Sequence, residues 1–251
     1  FSGVYIGNYD HPTRQINEDQ DEESAHIDYS APRQINYIGA SDSHHFMIGK
    51  CLPPAESEIA QTKTVTYEVF KEREVQQPVD PDADNPEPVV EKPIYYYEPD
   101  VTKQDRMYFF RIPRLGAYLA CPLIYQSCLF PDAFDAGIEG RKKLLDDIID
   151  FQERKKAKQD ERDEKLAELE EGSEDYDRVL QEYNAEIDAM EPPTEAPFQT
   201  VKKEYVVCID TLGQDREITE ADRQYVEDLV KYFAHCWEAK EKALLADDIT
   251  R

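Results

Sequence analysis

Two adjacent imidazoles, His44 and His45, come nearest in this sequence to groups that could move protons. They close the loop SDSHH after an apolar run at 35–40, where Asp42 could orient an imidazole for acid–base work. No nucleophile is specified beside them, and a polar loop is equally where an idle surface histidine sits. His11, His26 and His235 stand singly and make no ligand set for a metal. The carboxylates Glu18, Asp19, Asp21, Glu22 and Glu23 lack the alternate-position spacing and the glycine of a calcium loop, so they read as a solvated acidic stretch. The five cysteines, Cys51, Cys121, Cys128, Cys208 and Cys236, show no paired spacing and fall mostly in apolar runs, as reduced core residues of an intracellular protein do. The sequence holds no glycine-rich phosphate loop, nucleophile elbow or His-Glu-x-x-His helix. A non-enzyme is expected, with no catalytic, cofactor-binding or metal-binding residue and no cofactor.

Charge narrows the partners. Of 251 residues, 55 are acidic and 29 basic, a formal charge of -26 that disfavours nucleic acid and anionic membrane surfaces. No stretch approaches the roughly 20 apolar residues that cross a bilayer. The expected partners are other protein subunits, with no nucleic acid, no membrane and no small-molecule ligand. With 33% charged residues and a mean hydropathy of -0.75, much of the chain must be solvated. The apolar residues gather in islands large enough for one core. The chain opens at Phe1 inside a strand-like run, so it reads as an excerpt of a longer protein.

The elements that would position any site are best marked at 204–237. Tyr205 to Ile209 is a β-branched buried strand, Gly213 begins a turn, and a helix follows with Thr219 as N-cap, Asp222 three residues on, and Glu217 and Glu220 at its positive end. Its apolar face, Tyr225, Val226, Leu229, Val230, Phe233, Cys236 and Trp237, has the spacing of a helix laid on a sheet. FSGVYIGNY at 1–9 reads as a strand in which Gly3 and Gly7 mark close approach or a bend. Met107, Tyr108, Phe109 and Phe110 read as the start of another, followed by a turn at 112–116.

Between these islands lie insertions. Residues 10–32 are acidic, and 71–104 carry Pro78, Pro81, Pro86, Pro88, Pro93 and Pro99 among acids, a composition of extended chain. Ile94 with Tyr95, Tyr96 and Tyr97 forms an apolar patch there, either laid back on the domain or presented to a partner. Residues 131–198 read as a helical hairpin of coiled-coil type. Phe134, Ile138, Leu144, Leu145, Ile148, Ile149 and Phe151 mark the first helix before its face fades into charge, Gly172 and Ser173 make a break and a cap, and a second helix carries Tyr176, Val179, Leu180, Tyr183, Ile187 and Met190. Pro192 and Pro193 end it. The distal half of the first helix offers this stripe few apolar mates, which argues for an external partner. The candidate partner contacts are Tyr95, Tyr96, Tyr97, Tyr176, Val179, Leu180, Tyr183 and Ile187.

Three strings in order, QINYIGASDSHHFMIGK, RLGAYLACPLIYQSCLF and VVCIDTLGQDREITEAD, resemble the GAF domain family. The resemblance implies an α+β fold: a central antiparallel sheet with flanking helices, here carrying the acidic loops and the helical hairpin as insertions. It implies a discontinuous domain at 1–130 and 199–246, a hairpin at 131–198 and an exit linker at 247–251. It also implies a short helix at 64–70, and two paired strands at 118–130 that turn back after Pro122. The Asn-Lys-x-Asp-Glu signature of cyclic-nucleotide-binding members is missing, and no cysteine stands where the chromophore of phytochromes attaches. GVYIG, RIPRLGAYLACPL and CIDTLGQDREIT further resemble GAF-containing radial-spoke components of the axoneme of motile cilia. That implies a cytoplasmic, ciliary scaffold subunit; the alternative is a small-molecule-sensing, cyclic-nucleotide-like GAF domain with a regulatory role.

Overall fold

The computed structural model describes residues 2–12, 27–71, 95–111 and 114–250. The acidic run at 18–23, His26, most of the Pro-rich stretch, Ile94 and the Ile112–Pro113 part of the expected turn lie outside the described residues. The chain divides into two compact units, Phe1–Gln126 with Lys202–Ala239, and Ser127–Val201 with Lys240–Arg251.

The first unit is an α+β layer built on a five-stranded antiparallel sheet. Its strands are β1 (Gly3–Asp10), β2 (Gln34–Ala40), β3 (Tyr96–Glu98), β4 (Tyr118–Ser127) and β5 (Val201–Asp210), in the spatial order β2-β1-β5-β4-β3. β1 pairs with β5 from Gly3↔Asp210 to Asn8↔Tyr205, and with β2 from Tyr5↔Ala40 to Asp10↔Gln34, with a bulge between Ile6 and Gly7. Both glycines are needed for close approach: a Cβ on Gly3 would lie 2.2 Å from the His44 ring, and one on Gly7 2.4 Å from the Ile35 side chain.

Side-chain alternation splits the core in two. On one face Tyr5, Ile35, Tyr37, Tyr118, Val206 and Cys208 are buried under the helix α1 (Glu58–Lys63), the 3-10 turns Asp42–Met47 and Thr66–Phe70, and the loop around residues 107–110. On the other, Leu119, Cys121, Leu123, Tyr125 and Ile209 meet Val226, Val230 and Ala234 of the helix α4 (Glu220–Thr250).

Three expectations are corrected here. Residues 118–127 form one continuous strand, not a pair: Pro122 lies within it, two residues past Ala120, where the pairing with β3 ends. Met107 to Phe110 form no strand; their side chains pack as an irregular cover over Tyr37 and its neighbours. The apolar arc of α4 is wider than a sheet can cover. Val226, Val230 and Ala234 are buried, whereas Tyr225, Leu229, Phe233, Cys236 and Trp237 are exposed.

The second unit holds the long helix α2 (Ala133–Ala167) and α3 (Glu174–Asp188). They run antiparallel, with Lys158 bonded to Glu186 and Arg162 to Asn184. Gly172 and Ser173 form the break, and Ser173 Oγ accepts the Tyr176 N–H as the new helix cap. On α2, Ile138, Leu144, Ile148 and Phe151 are half-buried, while Phe134, Leu145 and Ile149 face solvent.

Candidate functional site

A chamber over the sheet of the first unit gathers the polar groups that the sequence scatters. β1 supplies Tyr5, β2 Tyr37, β4 Tyr118, and the end of β5 Asp210; the loop segments add His44, Phe46, Thr66, Tyr108 and Phe110, and Cys208 of β5 lies behind Tyr118. Alternation within the strands directs these residues to a common face.

Asp210 is fully buried. Its Oδ1 accepts from Ser2 Oγ at 2.7 Å and from the Leu212 N–H at 3.1 Å. Its Oδ2 lies 3.1 Å from His44 Nε2, a close contact without an aligned hydrogen bond. The His44 ring stacks on Tyr5 at 5.7 Å between centroids. The carboxylate beside His44 is thus Asp210, 166 residues away in sequence, and not the nearby Asp42, which with His45 is exposed.

Ser43 completes a superficial likeness to a Ser-His-Asp triad, with its Oγ 3.0 Å from His44 Nδ1. The polarity is wrong for a nucleophile. Ser43 donates its one hydroxyl proton to the Ser2 carbonyl, so towards His44 it can only accept, whereas an activated serine must donate to the imidazole. The thiols are no better prepared. Burial pushes Cys208 up to about 12 and Cys121 up to about 12, far from the thiolate form that attacks or binds metal. Burial likewise raises the Tyr5, Tyr37 and Tyr118 phenols well above their ordinary range. Tyr118 spends its hydroxyl on Cys208 Sγ at 3.2 Å and Thr66 Oγ1 at 2.8 Å.

The cavity among these groups measures about 70 Å³, against roughly 300–1,000 Å³ for a small-molecule pocket. Among the described residues no three His, Cys, Asp or Glu side chains converge as a metal site. No described helix is long and apolar enough to cross a membrane.

The candidate contact residues fall in two places. Tyr95, Tyr96 and Tyr97 lie back on the first unit, half-buried, in and beside β3. Arg223 donates to Tyr95 Oη at 3.2 Å and stacks 4.2 Å over the Tyr97 ring, while Gln104 donates to Tyr96 Oη at 2.9 Å. In the second unit Tyr183 and Ile187 are buried, and Tyr176, Val179 and Leu180 are half-buried. The stripe therefore does find mates on α2, but charged ones. Tyr183 Oη donates to Glu161 at 2.8 Å, and Lys158 and Lys165 lie 5.2 and 5.0 Å from its ring centre. The signal was the helical spacing of Lys158, Glu161 and Lys165, which puts two long aliphatic stems and an acceptor on one face.

Asp210, Ser2 and the three tyrosines of the chamber carry no local motif. The one hint is an acid directly after the apolar run YVVCI. A scan of protein-family models and searches of curated proteins and of solved structures find no match to this chain.

Proposed function

We propose that this chain is a non-catalytic structural and interaction module of a larger protein, with a GAF-like core, serving as a scaffold subunit in a radial-spoke-like ciliary assembly. The observation that carries the reading is the state of the chamber: most of its polar groups bind one another, the Cys208 thiol beside it is held protonated by burial, and its volume of about 70 Å³ is too small for a nucleotide. A 35-residue helix paired with a second one supplies an arm, and the -26 charge favours protein partners over nucleic acid. The GAF likeness is supported by the quoted strings and by a final strand that leads into a long closing helix. The ciliary placement rests on GVYIG, RIPRLGAYLACPL and CIDTLGQDREIT alone.

On the arm, Tyr176, Val179 and Leu180 are the contacts offered to a subunit, because Tyr183 and Ile187 are already taken by α2. The test is affinity purification of the parent protein from ciliated tissue, alongside a variant carrying Tyr176→Asp and Leu180→Asp. A large complex that the variant loses supports the scaffold role; a free protein indifferent to the change overturns it.

A second reading has one observation in its favour. Asp210 Oδ2 is buried at the chamber without an aligned hydrogen bond, which a donor on a small ligand would satisfy. A nucleotide and metabolite panel that produces a saturable rise in unfolding temperature would establish that sensing role instead.

A further inference from the structure

The corner of the chamber at Asp210 has acceptors in place and lacks a donor. Asp210 is fully buried, and its Oδ2 has no hydrogen-bond partner among the described residues. Ser43 gives its one hydroxyl proton to the Ser2 carbonyl. Its Oγ, 3.0 Å from His44 Nδ1, therefore accepts there, and the ring proton of a neutral His44 belongs on Nδ1. Nε2 then turns a lone pair towards Asp210 Oδ2, 3.1 Å away. Two acceptors this close repel one another unless a donor serves both. A second ring proton supplies charge but not the bond, because an N–H on Nε2 is out of line with Oδ2.

The rest of the lining selects the kind of donor. Tyr5, Tyr37, Phe46, Tyr108 and Phe110 wall the chamber with rings, whose faces attract cations. The Tyr5 phenol faces the Asp210 carboxylate and adds an acceptor beside it. Arg111 is the one lining side chain with a permanent positive charge, and its guanidinium is stacked 3.7 Å over the Phe46 ring. The volume of about 70 Å³ admits roughly two or three non-hydrogen atoms, at about 30 Å³ for a water-sized group.

We propose that this corner binds a primary ammonium group, carried by a small amine or by the tip of a lysine side chain. Its three N–H bonds match three acceptors, Asp210 Oδ2, His44 Nε2 and Tyr5 Oη, and its charge answers a carboxylate taken wholly out of water. An anion would meet Asp210 with like charge. A metal ion lacks ligands, since no three His, Cys, Asp or Glu side chains converge among the described residues. The proposal rests on the chamber being open to a ligand, the second of the two readings above.

The test titrates the whole chain with isotope-labelled methylammonium at constant ionic strength, followed by magnetic resonance. The methyl signal should move upfield under the rings and saturate with a Kd on the order of 10 mM, near the ceiling for so small a ligand. Methanol, of similar size without charge, should give no saturable shift, and neither should tetramethylammonium, which is charged but has no N–H. Asp210→Asn should abolish binding. Should that variant not fold, His44→Phe is read instead. It keeps a ring on Tyr5 and removes the Nε2 acceptor, so binding should weaken roughly tenfold or more.

Lysine blocked at both its amino and carboxyl ends identifies the source. Binding comparable with methylammonium marks a lysine tip, and binding of methylammonium alone marks a free amine. Equal binding of methanol or tetramethylammonium overturns the ammonium assignment, as does binding that the variants retain in full. If no amine binds but another compound of the metabolite panel does, the proposal fails and the sensing reading survives. If nothing binds, the corner is filled by water or by the chain itself, and both fail.

Discussion

Gly3 and His44 are in contact over the inner strand β1: a Cβ on Gly3 would stand 2.2 Å from His44 Nδ1. The missing side chain lets the imidazole lie on β1 and reach Asp210. Gly3→Ala must therefore displace a ring held from both sides by Ser43 and Asp210. The expected loss is about 1–3 kcal/mol in denaturant unfolding, as for overpacking elsewhere. With His44→Ala in the same chain the two changes should couple strongly; additive losses would show that the ring is not the obstacle.

Glu204 predicts a dependence on pH. Burial opposes its ionisation, but Lys202 and Arg33 outweigh that and hold the carboxyl below its ordinary value. Arg33 Nη2 lies 2.6 Å from Glu204 Oε2. With the folded value depressed, the contribution is present above the unfolded value, about 4.3, and is lost as pH falls through the folded one. Glu204→Gln should lower the urea midpoint at neutral pH and leave it nearly level with wild type in acid. A gap of equal size at both would assign the effect to packing.

The cysteines should react in two classes. Cys51 and Cys236 are exposed, while Cys121, Cys128 and Cys208 are buried. Native protein with a maleimide at neutral pH should take label at the first two, and unfolded protein at all five. Rapid native labelling of Cys208 would mean that the chamber opens readily.

Tyr183 tests the arm. Tyr183→Ala removes a buried ring and should cost about 3 kcal/mol, read as faster amide exchange along α3. Tyr183→Phe keeps the ring between Lys158 and Lys165 and loses only the bond to Glu161, so α3 should remain close to wild type. Undiminished protection in the alanine variant would show that α2 does not need this residue.

What the sequence determined by itself was local. The strand at Tyr205 to Ile209, the helix start where Thr219 and Asp222 cap one another, and the break at Gly172 and Ser173 each depend on residues within a few positions, so their patterns could be read directly. Tertiary structure decided the rest. Ser2 meets Asp210 across 208 residues, and no spacing encodes that pairing. Pro122 lies inside a strand whose pairing with β3 ends at Ala120, and where that neighbour ends is a property of β3 and not of the proline. Seven apolar residues on α4 promised one buried face, yet a sheet covers only part of a helix's circumference, so Val226 and Val230 are inside while Tyr225, Leu229 and Trp237 are not. On α3 the stripe was legible but its partners were not, because the stems of Lys158 and Lys165 do the work of apolar residues only when packing folds them over a ring.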